Sequence, residues 1–122
     1  MGVVVEAERV GLGRRFAVKR LLAEAVQSEH LILRFRREAE LLAKLSSPYV
    51  VSVHDIDVTP AGRPFLVMDL LRGRTLGLVI REGPERGLPL SDALRYAREA
   101  LTGLAVAHAA GCGLRLAVGG AI

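Results

Sequence analysis

Tryptophan is absent, cysteine occurs once, at Cys112, and the aromatic rings are only Phe16, Phe35, Phe65, Tyr49 and Tyr96. One cysteine cannot close an intrachain disulfide, so a disulfide-stapled scaffold is excluded, and no cysteine set remains for a zinc site. The three histidines, His30, His54 and His108, share no ligand-like spacing, so no metal is expected. Cys112 has no candidate base in the sequence around it, which argues against thiol chemistry. Long single-sign runs are missing too. The net charge of +4 and a pI near 10 come from cations dispersed among acids. Without a basic run interleaved with aromatics, a nucleic-acid partner is not expected. The opening MGVVVEAERV carries acid early and has no basic region followed by an apolar stretch. No secretory signal is read there, and a cytoplasmic location is expected. Charge is nearly missing from the last stretch: residues 101–122 hold only Arg115.

What is present is ample aliphatic material. The chain has 122 residues, 51% apolar and 25% charged, enough for one compact domain, too short for two ordinary ones and too apolar for a disordered chain. Val3-Val4-Val5 followed by alternation predicts a strand, Gly11-Leu12-Gly13 a turn, and Phe16 to Lys19 a second strand of a hairpin. From Glu29 to Ser46 the apolar period becomes helical, with Phe35, Ala39, Leu42 and Leu45 on one stripe, and Ser46-Ser47-Pro48 stops it. Val50 to Ile56 and Phe65 to Met68 predict two more strands around a Pro-Gly loop. A short helix is expected from Thr75, broken by Gly83-Pro84. A long helix then follows, with Ser91 as its N-cap and Gly111 at its end, carrying Leu94, Ala97, Leu101, Leu104, Ala105 and His108 on one stripe. Antiparallel hairpins flanking one helix make an α+β architecture.

Glu38 lies three residues after Phe35 and four before Leu42, on or beside the buried stripe. A carboxylate there is costly unless a cation meets it, and Lys19, ending an apolar strand segment, is the natural candidate. Such a pair makes more sense as a device for holding an ammonium toward a phosphate than as a source of stability. The other reading is a surface glutamate with a snorkelling lysine.

Several segments in order carry a resemblance. They are Met1-Gly2-Val3-Val4; Phe16-Ala17-Val18-Lys19; Phe35-Arg36-Arg37-Glu38-Ala39; Leu45-Ser46-Ser47-Pro48-Tyr49-Val50-Val51; and Leu66-Val67-Met68-Asp69-Leu70-Leu71-Arg72-Gly73. The helix end Ala105-Val106-Ala107-His108-Ala109-Ala110-Gly111 completes the series. Together they resemble bacterial eukaryotic-like serine/threonine protein kinases, over residues 1 to about 111. The resemblance implies a protein-kinase-like amino-terminal lobe (residues 1–73) lacking the start of the glycine-rich loop. It also implies the first helices of an incomplete carboxy-terminal lobe (74–111) and a divergent tail (112–122). It implies ATP as cofactor, with Gly2 as the third glycine of the phosphate-covering loop, Val4 and Ala17 sandwiching the adenine, and Lys19 contacting the α- and β-phosphates under the orientation of Glu38. Met68 would stand at the back of the adenine pocket, the backbones of Asp69 and Leu71 would bond the adenine edge, and Leu42 and Val53 would join an internal hydrophobic column.

The pattern then fails. Where the family reads H-R-D-L-K-P-x-N, this chain has Leu114 for the His, Arg115 for the Arg, Leu116 for the catalytic Asp and Ala121 for the metal-binding Asn, and no D-F-G follows. No catalytic residue is therefore assigned, Mg²⁺ is not expected to be held by this chain alone, and the chain reads as cut at both ends. ATP binding is expected to be weak or lost, and phosphotransfer absent. The stripe Leu94, Leu101, Leu104 and Ala105, lacking the family's covering lobe, is expected to be exposed and to serve a protein partner in a non-catalytic, pseudokinase-like alternative. A membrane span over residues 101–122 is not expected, because five glycines, His108 and Arg115 interrupt the run.

Overall fold

The computed structural model describes residues 2–84 and 87–112, so the readings placed on Leu114, Arg115, Leu116 and Ala121 lie outside the described residues. The β-branched start forms β1 (Gly2–Glu8), which turns into β2 (Arg15–Leu21). After a short 3-10 turn, α1 spans Glu29–Ala43; Ser28 caps it, its Oγ accepting from the Leu31 N–H at 3.4 Å. Next come β3 (Val53–Val58) and β4 (Pro64–Asp69), then α2 (Leu76–Glu82) and α3 (Leu90–Ala109). The four strands form one antiparallel sheet in the order β1-β2-β4-β3. This is the α+β arrangement read from the sequence.

Strand alternation gives the sheet two different faces. Ala17, Leu21, Leu66 and Met68 bury one face against Phe35 and Ala39 of α1, with Ala25 closing the edge of this core. The other face carries Phe16, which His54 meets edge-to-face at 5.4 Å and over which the Arg14 guanidinium sits at 5.0 Å. That cover accounts for the burial of Phe16.

Three boundaries differ from the sequence reading, each for a local reason. The helix predicted to Ser46 ends at Ala43, because the Lys44 N–H turns back to the Leu41 and Leu42 carbonyls. Strand β3 begins at Val53 rather than Val50. Ser47 captures the local backbone, its Oγ accepting from the Tyr49 N–H at 3.2 Å and its carbonyl from the Val50 N–H at 3.3 Å. Ser91 does not cap α3. Pro89 is the N-cap, its carbonyl accepting from the Ala93 N–H at 3.0 Å, and Ser91 falls inside the first turn. Thr75 does cap α2, its Oγ1 accepting from the Leu78 N–H.

Helix α3 reaches the sheet domain through the loop at Tyr49. A Cβ placed on Gly103 would stand 2.7 Å from the Tyr49 carbonyl oxygen, so only glycine lets helix and loop approach this closely. Gly103 and Ala107 are the buried positions of α3. Leu94 and Leu101, on the predicted stripe, are 63% and 64% exposed. No helix among the described residues is long and apolar enough to cross a membrane.

Candidate nucleotide-binding site

The face that buries Ala17, Leu21, Leu66 and Met68 also carries Lys19, two residues from Ala17 and Leu21 along β2. Helix α1 covers that face over β3 and β4 and leaves its β1 end open. The strand register brings the sequence-predicted residues together there. Val4 pairs with Lys19 across β1 and β2, and Ala17 pairs with Met68 across β2 and β4. Val4 is 48% exposed, whereas Ala17 and Met68 are buried, so the apolar floor is built and one wall stands open to solvent. Gly2 completes the corner. A Cβ there would lie 2.9 Å from the Arg20 carbonyl oxygen and 3.4 Å from Lys19 Cε, so the bare backbone makes room for the lysine stem.

Lys19 is half-buried and, among the described residues, has no ion pair. A primary ammonium at the open end of an apolar floor is chemically suited to an anionic oxygen. Glu38 is not its partner in this structure. The Arg34 Nε donates to Glu38 Oε1 at 3.0 Å one turn back along α1, and the Glu38 side chain is 43% exposed. Of the two readings of Glu38, the structure shows the helix-surface one, with an i,i+4 arginine satisfying the carboxylate in water.

The strand leading out of the site is held by side-chain contacts that the sequence reading did not anticipate. His54 Nε2 donates to Asp69 Oδ1 at 2.6 Å, and Arg14 reaches the same oxygen at 3.5 Å. The Asp69 N–H donates to the Ser52 carbonyl at 3.0 Å. Leu71, just beyond, is exposed. His54 was legible only as a histidine without a metal partner; its role depends on a register slip between Val53 and Asp55 that no local pattern announces. Beside the site, Arg15 donates to Glu6 Oε1 at 2.7 Å. This hydrogen bond outweighs desolvation, which acts in the opposite direction, and with the charges of Arg15 and Arg72 it holds the Glu6 carboxyl below the usual glutamate range. A groove of about 580 Å³ lies elsewhere, lined by Arg36, Glu40, Ala43, His54, Asp55 and Ile56. None of the residues assigned to nucleotide lines it.

No protein-family model matches the chain. The serine/threonine-protein kinase PknA of Mycobacterium tuberculosis is 40% identical over 115 residues, spanning 91% of this chain and 26% of that kinase. The serine/threonine-protein kinase PksC of Streptomyces coelicolor is 34% identical over 105 residues, spanning 82% of this chain and 19% of that one. Among solved structures, the Mycobacterium tuberculosis PknI kinase domain superposes with a TM-score of 0.78 at 26% identity, covering 91% of this chain and 44% of that domain. A Rad53 structure in complex with AMP-PNP shares the fold, with a TM-score of 0.70 at 24% identity. Its relatives in sequence are thus bacterial serine/threonine protein kinases, and its fold is that of part of a kinase domain. The chain spans about a quarter or less of the length of the curated relatives it matches.

Proposed function

We propose that this chain carries the nucleotide-cradling part of a serine/threonine kinase domain, binds adenine nucleotide weakly, and does not transfer phosphate by itself. The observation that supports this reading most is the register of β1, β2 and β4. It stands the Lys19 ammonium beside bare Gly2 at the open end of a floor made by Val4, Ala17 and Met68. Adenine would lie on that floor with its edge at the backbones of Asp69 and Leu71, and the phosphates would reach Lys19. A bound nucleotide would supply the phosphoanhydride that kinases cleave. In this reading residues 1–73 form the cradle, 74–111 the start of a second lobe, and 112–122 a tail outside the family pattern.

Glu38 would orient Lys19 only after exchanging its bond with Arg34, so the lysine is not preorganised and affinity is low. Transfer requires a carboxylate to orient the acceptor hydroxyl and oxygen ligands for Mg²⁺. The positions aligned with those roles hold Leu116 and Ala121. Incubation with radiolabelled Mg-ATP and a generic protein substrate is expected to yield no labelled protein. Label that persists in repurified chain and disappears in Lys19→Met would refute the inactive assignment.

One observation favours a second reading, a protein-binding module. Leu94 and Leu101 present an exposed apolar stripe on α3. This reading expects the chain to bind a hydrophobic dye and the double variant Leu94→Glu, Leu101→Glu to lose that binding while keeping its fold. Equal dye binding by both chains would remove it.

A further inference from the structure

Asp69 is the last residue of β4, and it is held through both its backbone and its side chain. Its N–H donates to the Ser52 carbonyl at 3.0 Å, and His54 Nε2 stands 2.6 Å from its Oδ1. A carboxylate only accepts, so Nε2 carries the proton of that bond. Arg14, an exposed side chain, reaches the same oxygen at 3.5 Å, a looser contact. Because the Asp69 N–H points to Ser52, Asp69 and Phe16 form a non-hydrogen-bonded pair across β2 and β4, and the Asp69 carbonyl is not spent there. Among the described residues no turn, loop or side-chain group donates to that carbonyl. It is an open acceptor at the end of the strand.

The irregularity in β3 is what aims the histidine. Val53 pairs with Met68 and Asp55 with Val67, so β3 spends one residue more than β4 between these pairs. A regular strand would set residues 54 and 55 on opposite faces; with the extra residue both lie on the face of Phe16 and Val67. There the imidazole packs edge-to-face on Phe16 at 5.4 Å and turns Nε2 onto Asp69. The two side chains of this contact are 35% and 38% exposed, and contacts so open to water add little to stability. What the bulge secures is therefore the position of Asp69 more than the strength of the fold.

We infer that His54 is a positioning residue for base selection: by holding Asp69 it fixes the Asp69 carbonyl as the acceptor for the amine at C6 of the purine. The inference rests on the nucleotide reading above, in which the adenine edge lies at the backbones of Asp69 and Leu71. An amine at C6 donates and needs an acceptor, and the open carbonyl supplies one. A purine without that donor leaves the carbonyl unpaired in the site and is bound less well. Freed from His54, the strand end keeps only the Ser52 bond and the looser Arg14 contact, and the carbonyl loses its fixed aim.

The test displaces a fluorescent ATP analogue from the full chain with two unlabelled competitors, ATP and purine riboside triphosphate, which lacks only the 6-amino group. Comparing both competitors on one variant cancels any general loss of fold or of phosphate affinity. On the parent chain ATP is expected to compete at a concentration roughly fivefold lower, the worth of about one hydrogen bond. His54→Phe keeps a ring beside Phe16 and removes the donor, and should bring the two competitors within about twofold of each other. His54→Gln can still donate to the carboxylate and should keep most of the difference. Lys19→Met should weaken both competitors alike and preserve it. Should His54→Phe not fold, Asp69→Ala removes the acceptor of the same bond and must abolish the same difference. A difference that survives His54→Phe, or a parent chain that treats the two competitors alike, would overturn the inference and leave the nucleotide site standing. No displaceable binding of either competitor would instead remove the nucleotide reading, and this inference with it.

Discussion

Glu38 and Glu6 show how little a residue's neighbours in sequence say about its partner in space. Spacing put Glu38 near the buried stripe of α1, yet Arg34, four residues earlier, takes its carboxylate at the surface. Exposed pairs of this kind contribute little, so Glu38→Gln is expected to change the stability of the unliganded chain by less than about 0.5 kcal/mol in chemical denaturation. Its effect should appear only in nucleotide affinity, where the carboxylate is asked to leave Arg34 for Lys19. Glu6 behaves differently because its partner comes from the neighbouring strand. The Arg15 hydrogen bond lowers its folded-state pKa, so the small stability it contributes is present above the ordinary glutamate range and is lost as pH falls through the lowered value. The melting temperature of Glu6→Gln should therefore lie below that of the parent chain at neutral pH and converge with it in acid. A constant difference across that range would show that the Arg15 bond is not the cause.

At the scale of elements, the helices and strands were legible where a period or a cap declares them, as in the 3.6-residue pattern around Phe35 and Ala39 and the capping Thr75. What was not legible depended on tertiary contact or on short-range competition for backbone groups. Ser47 captures the chain ahead of β3, and Pro89 pre-empts Ser91 at α3. The site follows the same division. Ala17, Lys19 and Met68 could be named from the order of motifs, whereas the His54–Asp69 contact required a register slip. Gly103 is the clearest element-level constraint. Gly103→Leu drives a side chain into the Tyr49 carbonyl and is expected to destabilise the attachment of α3 by about 3 kcal/mol. Proteolysis between α2 and α3 should then accelerate, while amide protection of β2 and β4 persists. Simultaneous loss of both would mean that the sheet and α3 unfold as one unit.

On the scale of the whole molecule, the described residues form a sheet with α1 packed on it, the short α2, and a long helix whose Gly103 meets the loop at Tyr49, with apolar surface left on α3. The folded core shares Ala17 and Met68 with the floor of the proposed adenine site, so nucleotide binding and stability are linked. Saturating nucleotide should raise the melting temperature, and by an amount that reports a weak site. The most direct measurement is a titration of the full chain with a fluorescent ATP analogue, in parallel with Lys19→Met. A weak, saturable signal is expected, which unlabelled ATP displaces and which Lys19→Met reduces at least roughly tenfold, a loss of one charge-assisted contact. Equal binding by both chains, or no displaceable binding at any concentration, would contradict this expectation.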